Sequence, residues 1–181
     1  MSREAHVRFC ESLAVKLPGA TRQRLDTLTG VGQRTAQEIV AEVGADVSHF
    51  PSHDHLASWS GLTPGQNESA GKRKPARTRP GNKHLRATMI EAARAAARSK
   101  GTYLGAQHER LRRHMKGNKS LVALAHAMII IVYHMLQDGT EYQDRGPNYY
   151  IDRDRKAIEL AAVRRLNSLG YSVTLNPTSA A

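Results

Sequence analysis

The chain has 181 residues, with 27 lysines and arginines against 16 aspartates and glutamates, and a formal net charge of +11. This length suits one core with appendages or two small domains, and the single cysteine excludes an intramolecular disulfide and a cysteine-based zinc cluster. Residues 69–119 hold 15 of the basic residues and only two acids, Glu91 and Glu109. A charge excess this concentrated predicts binding to a polyanion, above all a nucleic acid.

The first third of the chain predicts three helices. Arg3 to Leu17 carries apolar residues at four-residue intervals, which is typical of an amphipathic helix. Thr21 to Leu28 predicts a short helix and Gln33 to Val43 a second one, separated by a turn with Gly30 and Gly32.

The middle of the chain predicts a long basic loop between two helices. A short helix is expected from Asp54 to Ser60. The segment from Thr63 to Asn82 is rich in Gly, Pro, Lys and Arg, and loops of this size are usually functional or disordered. His84 to Ser99 is rich in alanine and predicts a helix whose outer face carries Arg86 and Arg94.

The last third predicts three more helices and one short strand. Tyr103 to Met115 is basic and helical, and Ser120 to Gln137 is apolar nearly all round, which is typical of a core helix. Its apolar run is too short and too polar to span a bilayer, and no signal peptide opens the chain, so a cytoplasmic protein is expected. Arg153 to Ser168 predicts an amphipathic helix, and Tyr171 to Leu175 alternates like a strand. The predicted fold class is mainly α, with at most one short C-terminal strand.

The turn around Gly30 and Gly32 has the form of a helix-hairpin-helix. Two glycines at this spacing allow a tight turn that exposes backbone N–H groups at a helix start, where a phosphate oxygen can bind. Arg34 can add a positive charge to the same phosphate. The alternative is an ordinary tight connection between helices.

The long loop contains a candidate nucleophile, Ser69, placed just before Gly71 and followed by many cations. A serine among small residues can be approached closely by a DNA backbone, and the cations can stabilise the charge of a phosphoryl-transfer transition state. On the residues alone, a basic loop that only binds DNA remains the alternative. The candidate phosphate-binding cations are Lys72, Arg73, Lys74, Arg77, Arg79, Lys83, Arg86 and Arg94.

The order of these motifs resembles the C-terminal domain of the insertion-sequence-110/116/902 transposases. The segments that carry the resemblance are Leu28–Ala36, Ala57–Pro64, Asn67–Lys72, Arg79–Arg86, Tyr142–Tyr150 and Leu169–Leu175. It implies a helical segment at 1–20 like the end of a coiled-coil linker, a helix-hairpin-helix at 21–48, and a transposase C-terminal domain at 49–176. That domain would carry a basic serine loop at 61–86, followed by a disordered tail at 177–181.

The resemblance also implies a mechanism and partners. In that family an N-terminal domain with a DEDD metal site precedes a serine that joins covalently to DNA, and characterised members are guided by a structured bridge RNA. By resemblance Ser69 is the nucleophile. Mg²⁺ is expected only with a DEDD domain supplied elsewhere, so the chain alone is expected to be inactive. DNA is the expected partner, a guide RNA and a homo-oligomer or intact transposase are further candidates, and no membrane is expected.

Two other functions remain open from the sequence. The chain can be a catalytically inactive DNA-binding remnant of a transposase, or a helix-hairpin-helix accessory protein of DNA repair. A metal site is not predicted, because His53 and His55 lack a third ligand, and His126 and His134 are interpreted as core or groove histidines. Ser60, a rival nucleophile, is interpreted as a packing residue.

Overall fold

A computed structural model describes residues 19–74, 77–115 and 117–175 of the chain. The helix predicted from Arg3 to Leu17 and the tail from residue 177 lie outside the described residues. The helices are α1 (Gly19–Asp26), α2 (Gln33–Val43), α3 (His53–Trp59), α4 (Lys83–Arg98), α5 (Tyr103–His114), α6 (Asn118–Asp138) and α7 (Tyr149–Ser168). The strands are β1 (Glu68–Ser69) and β2 (Lys72–Arg73), which pair in antiparallel fashion.

The prediction of a mainly helical fold is confirmed, and every predicted helix within the described residues is present. The apolar helix α6 is the centre of the core, since α1, α3, α4 and α5 all pack against it. Its fully buried side chains include Leu124, Met128, Ile129 and Val132. In the described part of the chain, α6 is also the one helix that is long and apolar enough to cross a membrane, a property it shares with core helices of soluble proteins.

Helices α2 and α4 lie side by side and run in opposite directions. Gly30, just before α2, contacts the backbone near the end of α4, where an added Cβ would lie 2.5 Å from the Ala92 carbonyl oxygen. At the other end, Glu42 of α2 accepts a 2.7 Å hydrogen bond from the side chain of Asn82, the N-cap of α4. Glycine and alanine at the first contact allow the two backbones to approach closely.

The last helix, α7, is attached to the core only near its start. Asp154 forms a 2.9 Å ion pair with Arg110 of α5, and the Tyr150 hydroxyl donates to the Tyr103 hydroxyl at 3.0 Å. None of the residues of α7 is buried. Its exposed large apolar side chains are Ile151, Ile158, Leu160 and Leu166.

The prediction of a short strand at residues 171–175 is wrong, because this segment forms neither helix nor strand. An isolated alternating segment needs a partner strand for its backbone hydrogen bonds. The only strands among the described residues lie in the long loop, where no strand was predicted.

Candidate nucleic-acid interface

The long basic loop forms an antiparallel two-stranded arm, which we call the serine arm (described residues 63–74 and 77–79). Its backbone pairing begins where the Arg79 N–H donates to the Thr63 carbonyl oxygen at 3.3 Å. It continues where the Gly65 N–H donates to the carbonyl oxygen of Arg77 at 2.9 Å, and it reaches strands β1 and β2. The chain therefore leaves the core, turns at the tip of the arm, and returns beside itself.

Ser69 lies at the tip of the serine arm, directly opposite Lys72. The two residues of the turn, Ala70 and Gly71, have φ angles of +50° and +71°. Positive φ at both positions is what a type I′ turn, the tightest common hairpin connection, requires. Ala70 is the only non-glycine residue with positive φ in the described part of the chain. The turn places Ser69 and Lys72 on neighbouring strands at an exposed tip.

The base of the serine arm is closed by two glycines whose backbones touch. An added Cβ on Gly81 would lie 2.3 Å from the Gly61 nitrogen and 2.5 Å from the Trp59 carbonyl oxygen. That same oxygen accepts a 2.9 Å hydrogen bond from the Asn82 N–H. The side-chain oxygen of Asn82 caps α4, accepting from the backbone of Leu85 at 3.1 Å. The arm is thus anchored directly to the start of a core helix.

Arg86 completes this anchor from inside α4. The sequence pattern predicts this arginine on the outer face of the helix, as a phosphate ligand. In the structure it is half-buried, and one guanidinium nitrogen donates 2.7 Å hydrogen bonds both to the Gly61 carbonyl oxygen and to Thr78 Oγ1. Arg86 therefore connects the outgoing and returning segments of the arm.

Most of the other predicted cations are exposed. On the serine arm these are Lys72, Lys74, Arg77 and Arg79, and Lys83 follows in the first turn of α4. The backbone of Arg73 lies in β2 opposite Glu68. Arg94, further along α4, is exposed and forms a 2.9 Å ion pair with Glu91. The structure thus gathers five exposed cations of the predicted set around one arm and its root, in addition to Arg73 in β2 and Arg86 at the base.

The predicted hairpin glycines have different surroundings. Gly30 is half-buried against α4, so its missing side chain serves helix packing. Gly32 is exposed and is the N-cap of α2, with nothing within 4 Å of the position of a Cβ. Arg34 is highly exposed and forms a 3.2 Å ion pair with Glu38. The exposed helix start at Gly32 and Arg34 fits a phosphate contact.

The two candidate DNA contacts lie at opposite ends of α4. The serine arm joins this helix at Asn82, whereas the turn before α2 packs against Ala92 and Ala96. At 1.5 Å per residue, these positions are about 20 Å apart. A nucleic-acid backbone that touches both must therefore run along α4 for about six phosphates, at 3.4 Å per phosphate of one strand.

The described residues contain no group of three or more histidine, cysteine or acidic side chains placed to hold a metal ion. The rings of His53 and His134 lie 5.3 Å apart, and burial lowers the pKa of nearby His126. Asp154, at the start of α7, is engaged by arginines, which lower its pKa. The acidic donor set that a DEDD metal site requires is not among the described residues.

Four positions at the base of the serine arm were not identified from the sequence: Glu42, Trp59, Thr78 and Asn82. Asn82 had a local signal, because asparagine directly before a helix is a preferred N-cap. Glu42 and Trp59 reach the base of the arm through Asn82, and Thr78, on the arm itself, is held by Arg86 of α4; a local pattern does not reveal these contacts. Ser60, the rival serine, is fully buried and its hydroxyl donates to the Ala57 carbonyl oxygen at 2.8 Å, as expected for a packing residue.

The family model and the known proteins that this chain resembles are all those of insertion-sequence elements. Residues 22–109 match the family model described as "Transposase IS116/IS110/IS902 family". The chain is 36% identical over 145 residues to the uncharacterised 43.6 kDa protein of insertion element IS110 from Streptomyces coelicolor, a match that covers 76% of this chain and 32% of that protein. It is 33% identical over 129 residues to the transposase for insertion sequence element IS1111A from Coxiella burnetii, covering 67% and 34% of the two chains. The chain spans about a third of the length of these relatives.

Proposed function

On the premise that residues 22–109 match the IS116/IS110/IS902 transposase family, we propose that the chain is the serine-bearing, DNA-binding part of a transposase. In this proposal the serine arm grips a DNA backbone, and the hydroxyl of Ser69 attacks a DNA phosphodiester. In this proposal the remaining catalytic groups, the DEDD metal ligands, come from another domain.

The observation that carries the proposal is the position of Ser69 at the tip of the arm. Its hydroxyl is on an exposed turn, and Lys72 lies directly across the hairpin. A DNA phosphate can reach an exposed tip without a cleft, and a lysine beside the attacked phosphorus stabilises the charge that develops there. The tight turn after Ser69 keeps bulky side chains away from the incoming backbone.

Two further observations support DNA as the partner. The exposed cations of the arm, Lys72, Lys74, Arg77 and Arg79, all lie on its returning strand, so they can contact successive phosphates along one side of Ser69. The exposed start of α2 at Gly32, with Arg34 in the first turn, supplies a second phosphate contact. Contacts of this kind position DNA without reading its sequence.

The chemical step is a transesterification. The Ser69 oxygen forms a bond to phosphorus while the bond from phosphorus to a deoxyribose oxygen breaks. The serine proton passes to a base, and the released deoxyribose oxygen gains a proton, so a serine–phosphate ester and a free hydroxyl result. No hydrogen bond to the Ser69 hydroxyl is found among the described residues, so this proposal assigns its base to a group outside them.

A divalent metal belongs to this proposal only through another domain. The described residues do not bring together the carboxylates that Mg²⁺ prefers, and no step here is routed through a metal. The partners we propose are therefore DNA, which the arm binds, and a full transposase or second chain that contributes the DEDD site. A structured guide RNA is a further proposed partner, because the same exposed cations can bind its phosphates.

A search for a covalent adduct tests the proposal. The chain is incubated with labelled duplex DNA that carries the ends of the Coxiella element, together with the full-length Coxiella transposase. An adduct on this 19.9 kDa chain separates from any adduct on the longer relative in a denaturing gel. Peptide mass spectrometry then identifies the modified residue, which we expect to be Ser69.

Ser69→Ala should abolish the adduct while DNA affinity, measured by fluorescence anisotropy, stays close to wild type. Ser172→Ala, which removes another exposed serine, is the matched control and should leave the adduct unchanged. An adduct that persists in Ser69→Ala would overturn the nucleophile assignment. DNA binding without any adduct in the presence of the relative would favour an inactive DNA-binding protein instead.

A further inference from the structure

Trp59, the single tryptophan of the chain, is exposed at the base of the serine arm. It is the last residue of α3, a helix that otherwise buries its apolar side chains Leu56 and Ala57 in the core. The side chain of Trp59 is 40% exposed. An exposed aromatic ring beside a basic surface is a recurring feature of proteins that bind single-stranded nucleic acid.

One side of the indole is supported by other rings. The Phe50 ring lies 5.5 Å from that of Trp59 at an angle of 56°, and the His49 ring lies 4.2 Å from that of Phe50. The carbonyl oxygen of Phe50 accepts a 3.2 Å hydrogen bond from the hydroxyl of Tyr133 in the core. The tryptophan is therefore held in place before any ligand arrives, which reduces the entropy lost on binding.

The backbone of Trp59 joins this ring to the cations of the arm. Its carbonyl oxygen accepts the Asn82 N–H at 2.9 Å, and the exposed Lys83 follows immediately. Gly81 packs against the same carbonyl and against the backbone of Gly61. A Cβ on Gly61 would in turn lie 3.1 Å from the carbonyl oxygen of Arg79. A phosphate held by Lys83 or Arg79 would thus lie near the backbone of Trp59, whose exposed ring is then a candidate contact for the adjoining nucleotide.

We propose that Trp59 is a stacking platform for an unpaired base of the DNA strand whose phosphates the serine arm binds. The proposal rests on the function proposed above and adds a ligand to it, a nucleobase outside the duplex stack. Aromatic rings interleaved with cations are the usual means of binding single strands, because every base has a face that can stack. A protein partner is disfavoured, since the residues that join Trp59 to the arm are glycines and cations rather than a broad apolar patch.

Tryptophan fluorescence tests this proposal on the unmodified protein, because all tryptophan emission comes from residue 59. Binding of a fluorescein-labelled single-stranded oligonucleotide is followed by anisotropy, and an unlabelled copy is titrated in parallel while tryptophan emission is recorded. We expect a loss of emission that saturates together with the binding curve. An oligonucleotide of the same length with abasic sites throughout, and a blunt duplex, should bind by their phosphates and cause much less loss.

Substitutions provide a second measurement. Trp59→Ala should weaken single-strand binding about 5- to 150-fold, the range expected for one stacked base, and Trp59→Tyr should recover most of the affinity. Leu160→Ala, which removes another exposed apolar side chain, is the matched control and should bind like wild type. If Trp59→Ala does not fold, the fluorescence titration of the wild type still decides.

The outcomes separate this proposal from the one on which it rests. Anisotropy that shows binding with equal emission changes for base-bearing and abasic strands would overturn the stacking role and leave DNA binding intact. Absence of binding to every strand and duplex would overturn both. Emission loss with base-bearing single strands alone supports the platform.

Discussion

Arg86 Nη1 and the carbonyl oxygen of Gly61 lie 2.7 Å apart, and the same nitrogen donates to Thr78 Oγ1 at 2.7 Å. A side chain of helix α4 therefore holds the two ends of the serine arm together. Hydrogen bonds that involve a charged group are worth about 1.5–3 kcal/mol, roughly twice the neutral kind. This interaction sets the direction in which the arm, and with it Ser69, leaves the core.

Replacing Arg86 should loosen the base of the arm. Arg86→Ala leaves the Gly61 carbonyl and the Thr78 hydroxyl without their donor, and we expect a loss of about 1.5–3 kcal/mol in the free energy of unfolding. Arg86→Lys should recover part of this loss, since an ammonium keeps the charge but lacks the planar fork. Urea denaturation measures both variants.

The exposed Arg79 is the control for Arg86. Arg79→Ala should leave the free energy of unfolding within about 0.5 kcal/mol of wild type, as surface substitutions do. Equal free energies of unfolding for the two alanine variants would show that Arg86 does not anchor the arm, and its guanidinium would then be available to bind a phosphate.

The N-cap of α4 should be important for stability. Asn82 accepts hydrogen bonds from the backbone N–H groups of His84 at 3.0 Å and Leu85 at 3.1 Å. Asn82→Ala should lower the free energy of unfolding by about 1 kcal/mol, with an added loss from the Glu42 contact. Asn148→Ala is the matched control, because Asn148 caps α7 without a side-chain hydrogen bond. Equal effects of the two substitutions in urea denaturation would contradict the capping role.

Gly30 and Gly32 should differ in their tolerance of alanine. A Cβ on Gly30 would lie 2.5 Å from the Ala92 carbonyl oxygen and 2.6 Å from the Ala96 nitrogen, at a positive φ. Gly30→Ala should therefore cost about 1–3 kcal/mol of stability, because backbone atoms must move. Gly32→Ala, at an open position with φ of −102°, should change thermal stability little. Comparable melting temperatures for the two variants would show that the α2–α4 contact is looser than the structure indicates.

Stability should fall in mild acid because of His108. Burial lowers the pKa of this histidine, and its ring contacts Ser120 Oγ at 3.3 Å in the core. The unfolded chain takes up the proton near pH 6.5, about the ordinary value, whereas the folded chain does so only at lower pH. The stability that the neutral His108 ring contributes is therefore complete above the unfolded pKa of about 6.5 and is lost as the pH falls through the folded pKa.

Thermal denaturation between about pH 7.5 and pH 5 tests this expectation across the ordinary histidine range. His108→Gln should reduce the fall in melting temperature over that interval. His114→Gln, in the exposed end of the same helix, should leave the fall unchanged. A pH profile that is unaffected by His108→Gln would assign the acid sensitivity to other groups.

Lys74 should contribute to DNA affinity through phosphate contact alone. Lys74→Gln is expected to weaken binding to all duplex sequences similarly and to reduce the slope of log affinity against log salt concentration by about 1. Anisotropy titrations between about 50 and 200 mM KCl measure this slope. Lys156→Gln, on the exposed helix α7, serves as the control with an unchanged slope. A sequence-dependent loss for Lys74→Gln would instead indicate a base contact.

Much of the fold could be predicted from local patterns. The spacing of apolar residues correctly predicted both ends of the helix Gln33–Val43. The uninterrupted apolar run identified α6 as the central core helix. These features depend on residues a few positions apart, where helix geometry makes sequence and structure nearly equivalent. The alternation at residues 171–175 predicted a strand that does not form, because a strand also needs a partner strand and no local pattern guarantees one.

The sequence by itself determined that the protein is mainly helical and that its positive charge is concentrated in the segment that follows Ser69, from which a polyanionic partner is predicted. Tertiary structure decided the rest. It folded the loop into a paired arm, turned Arg86 from the surface to the base of that arm, and placed Gly30 against α4. It also brought Trp59 beside Asn82 and Lys83. Each of these results depends on contacts between residues distant in the sequence, and only chain packing decides which of them form.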